Sequence, residues 1–382
     1  MSTVLQKKEG KKMNKEALSP PTTPVNVFAL LVVALLGLDF LDLPYDASSF
    51  CGPSGYWTIV ISFGLMVLPL VLLAVLLQRR FPKENIISAS KSALGKPLSM
   101  VGNLIFLGSY LTWITLAIRD STTVLINCFL NRTPAWALVV LLLLGIGYII
   151  INGLKPVLRL AAFICIPMLF FRFLMQIFAL QGLKPDLLLP VFSASPVSYL
   201  KGGLATANAF FPLTTVFLIY PLNTKPQKLP IPVLWAATIS LLSFFLGIVG
   251  AIGVFGAELT QRFNWSEFIA VQHIYITFLV FEQVGLLFLV IWTSLFFVAA
   301  AFLFSVVAKG LRQQFPFLNY RWTCLGLLLL VGTAVLLFPD DFISRTVFTE
   351  YRRWLVLPVT VYPLLVYIVS VIRGKRALPN EK

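Results

Sequence analysis

The chain has 382 residues, of which 58% are hydrophobic and only 12% charged, with a mean hydropathy of +0.90. A soluble domain carries about 25% charged residues, so a water-soluble fold, which could not hide this much apolar surface, is excluded. The 30 Lys and Arg against 15 Asp and Glu leave a net charge of +15, which would suggest nucleic acid in a soluble protein but reads as membrane topology when the charges sit between apolar runs.

In chain order, residues 1–24 form a polar, Lys-rich tail, and no small-residue cleavage site follows the first apolar run, so no cleavable signal is expected. Apolar segments then fall at about 25–43, 56–77, 98–128, 134–151, 157–180, 199–220, 230–256, 275–308, 320–338 and 354–372. Each is long enough to cross about 30 Å of hydrocarbon, and none alternates as barrel strands do, so about ten transmembrane helices are predicted. An external loop at 181–198 divides two five-span blocks, 25–180 and 199–372, and residues 373–382 form a second short tail. With the N-terminus placed inside, the inner segments gather Lys7, Lys8, Arg79, Arg80, Lys155, Lys309 and Arg373 among others. The outer ones hold Arg132, Lys184, Lys201, Arg262, Arg345, Arg352 and Arg353, a bias of about three to one that predicts two cytoplasmic tails. Polar loops at about 78–97 inside and 257–274 outside are long enough to dock partner proteins.

The first and sixth segments are both interrupted, at Gly37-Leu38-Asp39 with Pro44 and at Phe211-Pro212-Leu213-Thr214-Thr215. Interrupted helices at corresponding positions of two halves point to an inverted repeat with a binding site near the bilayer midplane. Two ordinary proline kinks are the plainer alternative. Asp39 lies about fifteen residues into its span, roughly 20 Å along a helix; it either enters such a site or reaches the outer interface with Asp42 and Asp46. Asn208, Thr214 and Thr215 flank the sixth-segment break and either hydrogen-bond a ligand or bond back to freed carbonyls.

Other ionisable residues inside spans are Arg119, Asp120, Arg172 and Glu282. Arg119 and Asp120 diverge by about 100° on a helix, so each needs a partner on another helix. A structural ion-pair network is favoured for them, with Glu282 a partner for Arg119, whereas Arg172 is expected to snorkel outward. The single histidine, His273, suits an interface, and the four cysteines stand apart and read as small apolar residues. Neither a nucleotide loop, a metal-ligand cluster nor a nucleophile-and-base spacing occurs, so enzyme chemistry, a metal and a cofactor find no support.

One ordered set of motifs carries a resemblance. It comprises Arg119-Asp120, Arg132-Thr133-Pro134-Ala135-Trp136, Gly153-Leu154-Lys155-Pro156-Val157-Leu158-Arg159, Leu189-Pro190-Val191 and Leu200-Lys201-Gly202. Gly253-Val254-Phe255-Gly256 followed by Trp265, and Glu282 with Trp292 ten residues on, complete it. From about residue 20 to 372 the chain resembles the endospore germination (GerAB-type) family, a branch of the amino acid–polyamine–organocation transporters. The resemblance implies an all-α, LeuT-like bundle with a five-plus-five inverted repeat and broken first and sixth helices. It implies residence in the spore inner membrane and work with a larger A subunit and a C-subunit lipoprotein, sensing a small nutrient, with the lipid bilayer as surroundings and no nucleic acid. It also places Tyr110 and Trp113, which share a face of the third span, beside a central site with Gly37, Asp39, Asn208, Thr214 and Thr215, although in a chain with 14% aromatic residues simple core packing is the favoured reading of either ring. The chain departs from the family where Gly-x-Gly of the first helix is Gly37-Leu38-Asp39, and where the acidic residue common in the sixth helix corresponds to Thr214-Thr215. Three functions fit: a sensor subunit, a stand-alone amino acid or polyamine transporter, or a scaffold without a ligand.

Overall fold

The computed structural model describes residues 23–38, 41–222, 228–263, 265–272, 284–337 and 342–375, and within them the chain is built of helices alone. Hydrocarbon offers no partner to backbone N–H and C=O groups, so long runs of Leu, Ile, Val and Phe close their hydrogen bonds within the segment. Among the described residues, eight helices are long and apolar enough to cross a membrane: Trp57–Arg80, Lys96–Cys128, Leu154–Gly182, Pro196–Ile219, Pro230–Arg262, Gly285–Gln314, Tyr320–Leu337 and Glu350–Ile372. Two shorter apolar helices, Pro24–Gly37 and Ala135–Ile150, complete the ten expected spans. The tenth continues N-terminally to Phe342.

Local signals set the helix starts. Thr23 accepts from Asn26 N at 3.2 Å with Pro24 at the first helical position, and Ser195 does the same for Ser198 N at 3.1 Å ahead of Pro196. The expected inner loop contains a further helix, Ile86–Leu94, capped by Asn85 and closed by Gly95 at φ 87°. At nine residues it is too short and too amphipathic to register as a span. Asn103, fully buried on the third span, holds it in place. The Asn103 amide donates to Ile87 O at 3.3 Å and to Gln314 Oε1 at 3.0 Å, while Asn103 Oδ1 accepts from Ser90 at 3.1 Å and Tyr362 at 2.9 Å.

The first span is interrupted as expected: the helix ends at Gly37, Leu38 leaves helical geometry at φ −102°, ψ −88°, and a second helix runs Leu43–Cys51. The sixth is helical over Pro196–Thr206, winds as a 3₁₀ segment over Ala207–Thr215, and ends with Val216–Ile219. A 3₁₀ run of that length is unusual inside a helix, and Pro212 within it contributes no N–H. Both spans sit at the centre. Over the sixth, 94% of the span window is buried, against 33–61% for the other long helices, and the first helix packs against that 3₁₀ segment and the eighth span.

Small residues make this central packing possible. In the sixth span, a Cβ on Gly202 would meet Thr58 at 2.6 Å and one on Gly203 would meet Ile61 at 2.6 Å, so the second span lies directly on it. Ser62 ties the two by donating to Gly203 O at 2.5 Å. The second span makes one wide π turn at Phe63–Val67 beside this contact.

At the first-span break a Cβ on Gly37 would lie 2.5 Å from Leu295 O and 3.0 Å from the Ala299 Cβ, both on the eighth span. The obstacle is backbone, which cannot rotate away. Gly37→Ala is therefore expected to cost about 1–3 kcal/mol, seen as a lowered unfolding midpoint of the detergent-solubilised protein. Gly64→Ala, whose new methyl meets nothing within 4 Å, is expected to leave the midpoint unchanged.

Candidate functional site

The third span brings Tyr110 and Trp113 onto the 3₁₀ segment. Trp113 stacks on Phe211 with ring centroids 5.0 Å apart and planes parallel, and Tyr110 meets the same ring edge-on at 5.1 Å. The Tyr110 hydroxyl donates to Thr214 Oγ1 at 2.5 Å, which in turn donates to Phe211 O at 2.7 Å. Thr215 Oγ1 donates to Pro212 O at 2.6 Å. Both threonines therefore bond back to carbonyls of the break, and through Tyr110 the first of them also reaches across to another helix. Asn208 is buried at the start of the same segment. Trp113 Nε1 is buried and meets no acceptor among the described residues.

Tyr110, Trp113, Asn208, Thr214 and Thr215 are thus all buried, and Tyr110, Trp113 and Thr214 are joined directly or through Phe211. Gly37 stands at the end of the first-span helix, its α-carbon against the eighth span. Asp39 and Glu282 lie outside the described residues, so the expected pairing of Glu282 with Arg119 does too. Arg119 donates to Val335 O at 3.2 Å on the ninth span.

Ion pairs close the end of the bundle remote from residues 23 and 375. Arg352 of the tenth span pairs with Asp120 of the third and lies 3.9 Å from Asp42. Its neighbour Arg353 pairs with Asp46, on the second helix of the first span, and with Glu350, and lies over the Phe50 ring at 5.6 Å. Asp120 does find its partner on another helix, as helical geometry requires. Asp46, however, is buried rather than interfacial. Arg352 and Arg353 were read as loop charges because the apolar run starts only at residue 354, whereas the helix begins a full three turns earlier.

Arg172 also departs from expectation: it is 3% exposed and does not snorkel. Its Nε donates to Ser243 Oγ at 2.9 Å and its Nη2 to Glu267 Oε1 at 2.8 Å, and Gln176 Nε2 donates to the same carboxylate at 3.0 Å. Glu267 belongs to a short helix, Ser266–Gln272, in the expected outer loop, which folds back between the fifth and seventh spans. Gly247 makes the room, since a Cβ there would lie 2.6 Å from the carboxylate. Burial pushes the Glu267 carboxyl above the usual range, and Arg172 and Gln176 oppose that rise. No spacing in the sequence links residues 172 and 267; the signal available was a lone intramembrane arginine that had to find an acid.

Broken first and sixth spans at the centre of ten define the class as a LeuT-fold membrane bundle. The solved structure of MhsT in complex with L-phenylalanine superposes with a TM-score of 0.66 over 92% of this chain and 99% of that one, at 15% identity. A Na+-coupled sialic acid symporter in a substrate-bound outward-open state does so with 0.63 over 90% and 79%, at 12% identity. At such identities the likeness is one of fold. Residues 22–343 match the family model described as spore germination protein, and the chain belongs to that family. Spore germination protein YndE of Bacillus subtilis (strain 168) is 24% identical over 77% of this chain and 81% of its own length. Spore germination protein A2 of the same organism is 20% identical over 94% and 99%, and GerLB of Bacillus cereus 22% over 89% and 92%.

Breaking a buried ion pair strands a charge at a cost of about 3–5 kcal/mol, whereas replacing both partners by apolar residues is close to neutral. Glu267→Ala alone is accordingly expected to lower the unfolding midpoint sharply, and Arg172→Met with Glu267→Met to recover most of it, in a double-mutant cycle on the solubilised protein.

Proposed function

We propose that the chain is the membrane subunit of a spore germinant receptor, which binds a small amine-bearing nutrient between the two helix breaks and passes the change to partner subunits. The observation that carries this reading is the packing of the interrupted first span against the 3₁₀ stretch Ala207–Thr215, flanked by Tyr110 and Trp113. Backbone freed at two facing breaks, with buried hydroxyl, amide and indole groups beside it, is the chemistry that holds a small polar ligand in a membrane. Trp113 Nε1 supplies a donor for an acceptor on such a ligand, and Asp39, in the interval between the two helices of the first span, supplies a carboxylate for its ammonium.

The sidedness follows from charge. Arg79, Arg80, Lys83, Lys91, Lys96, Lys155, Lys309, Arg312 and Arg373 gather at the end where residues 23 and 375 lie, so that end is cytoplasmic and the Arg352–Asp120 end is external. The membrane is the spore inner membrane, and the partners are an A subunit and a C-subunit lipoprotein, in keeping with relatives named as spore germination proteins. The two five-span blocks, 25–180 and 199–372, then work as opposed halves around the breaks. Because MhsT holds L-phenylalanine in the same fold, a stand-alone transporter is the second reading; uptake by proteoliposomes containing this chain alone would favour it.

At an effective dielectric near 20, a carboxylate and an ammonium about 4 Å apart attract by roughly 4 kcal/mol before desolvation is subtracted. Asp39→Asn keeps the shape and removes the charge. It is expected to shift the germination dose response to an amine-bearing nutrient by about tenfold or more, a tenfold step being about 1.4 kcal/mol. The assay uses spores whose other receptors are deleted, and an unchanged dose response would remove Asp39 from the site.

A further inference from the structure

A cavity lies at the end of the bundle that carries residues 23 and 375, about one turn beyond the 3₁₀ stretch of the sixth span. Its volume is about 380 Å³, and its walls come from four places in the chain. Leu154 opens the fifth span, Leu218, Ile219 and Pro221 close the sixth, Val306 and Gly310 lie near the end of the eighth, and Lys83 and Asn85 precede the helix Ile86–Leu94. Among the described residues, the charged ones lining it are Lys83, Lys309 and Arg312, and no carboxylate lines it. Lys309 and Arg312 stand three apart on one helix and so share a face.

The polar groups around this cavity divide into two sets. Gln313 is fully engaged: it accepts from Asn85 Nδ2 at 2.6 Å through its side chain and from Lys91 Nζ at 3.2 Å through its carbonyl, and donates to Ser88. Lys309 Nζ and Arg312 Nη1 are buried and meet no acceptor among the described residues. Positive groups shut off from water near a membrane are costly unless an anion answers them, and both stems are long enough to have reached solvent instead. A guanidinium fork beside an ammonium suits a phosphate, which presents several acceptor oxygens and more than one negative charge. The cavity is far larger than a halide needs, and Leu218, Ile219 and Val306 give it an apolar wall.

We infer that this cavity binds a phosphate-class oxyanion, from an anionic phospholipid headgroup or from free phosphate, held between Lys309 and Arg312 with Lys83 at its exposed rim. Such an anion bridges the ends of the sixth and eighth spans to the segment before Ile86–Leu94. It therefore holds closed the end of the bundle opposite the Arg352–Asp120 pairs.

The test is the unfolding midpoint of the purified full-length protein in two arms. In detergent, inorganic phosphate is titrated against sodium chloride of equal ionic strength; in nanodiscs, phosphatidylglycerol mixed into phosphatidylcholine is compared with phosphatidylcholine alone. Binding to the folded state alone raises the midpoint by mass action, here by roughly 3 °C or more near saturation. Lys309→Met with Arg312→Gln is expected to abolish the rise while leaving the basal midpoint equal or higher, because the ammonium of Lys309 that lacks an acceptor among the described residues is gone. The rim variant Lys83→Gln, on an exposed position, is expected to weaken the response several-fold without altering the fold. A response to phosphatidylglycerol alone assigns the site to a lipid headgroup, and a response to phosphate assigns it to the free anion. No response in either arm, or the same response in the double variant, overturns the inference.

Discussion

A backbone that leaves its helix inside a membrane has no solvent to turn to, and the arrangement of this protein follows from meeting that constraint twice. The first span opens at Leu38 and the sixth tightens into a 3₁₀ stretch at Ala207–Thr215. Each unsatisfied backbone group in hydrocarbon costs several kcal/mol, so both segments must lie at the centre, wrapped by the other spans. That requirement accounts for the near-complete burial of the sixth span and for the glycines at its contacts. Gly202 and Gly203 admit the second span, and Gly37 admits the eighth. Side chains complete the solution, with Thr214 and Thr215 returning hydrogen bonds to the carbonyls of the 3₁₀ stretch and Tyr110 locking the first of them from a neighbouring helix.

The two ends of the bundle are closed by different chemistry. At the end remote from residues 23 and 375 the fastening is ionic: Arg352 and Arg353 hold both the third span and the second helix of the first, and Arg172 with Glu267 pins the short helix Ser266–Gln272 onto the fifth and seventh spans. Such pairs add little net stability, but they are directional and expensive to break singly. At the end that carries residues 23 and 375 the contacts are mostly neutral, through Asn103, Tyr362 and Gln313, and Lys83, Lys309 and Arg312 line a cavity there.

Much of this architecture was legible in the sequence because hydrocarbon thickness and backbone satisfaction act on composition alone. The ten spans and the interruptions at Gly37-Leu38 and Pro212 required only apolar runs and the residues that break them. Tyr110 and Thr214, 104 positions apart, were placed together through the resemblance and meet in a hydrogen bond. Partnerships made in three dimensions were not legible. Glu267 sits in a stretch too polar to count as a span, so its return to Arg172 left no periodic trace, and Arg172 was assigned to the interface for want of a partner. Arg352 and Arg353 fell outside an apolar window although they lie well within the tenth helix. The helix Ile86–Leu94 is held by Asn103 and Gln313 rather than by hydropathy, and so read as a loop.

The central claim is that the two breaks enclose a ligand site whose occupation is sensed. Asn208, at the head of the 3₁₀ stretch, is the position to probe, with a cysteine in place of Asn208 after Cys51, Cys128, Cys165 and Cys324 have been changed to Ala. The measurement is the rate of alkylation of that cysteine by N-ethylmaleimide in the purified protein, with and without amino acids and the polyamines putrescine and spermidine, against a control cysteine in place of exposed Lys155. The account predicts that a compound which triggers germination through this receptor slows alkylation at position 208 and leaves position 155 unaffected. Alkylation at 208 that is unaltered by such a compound would contradict it.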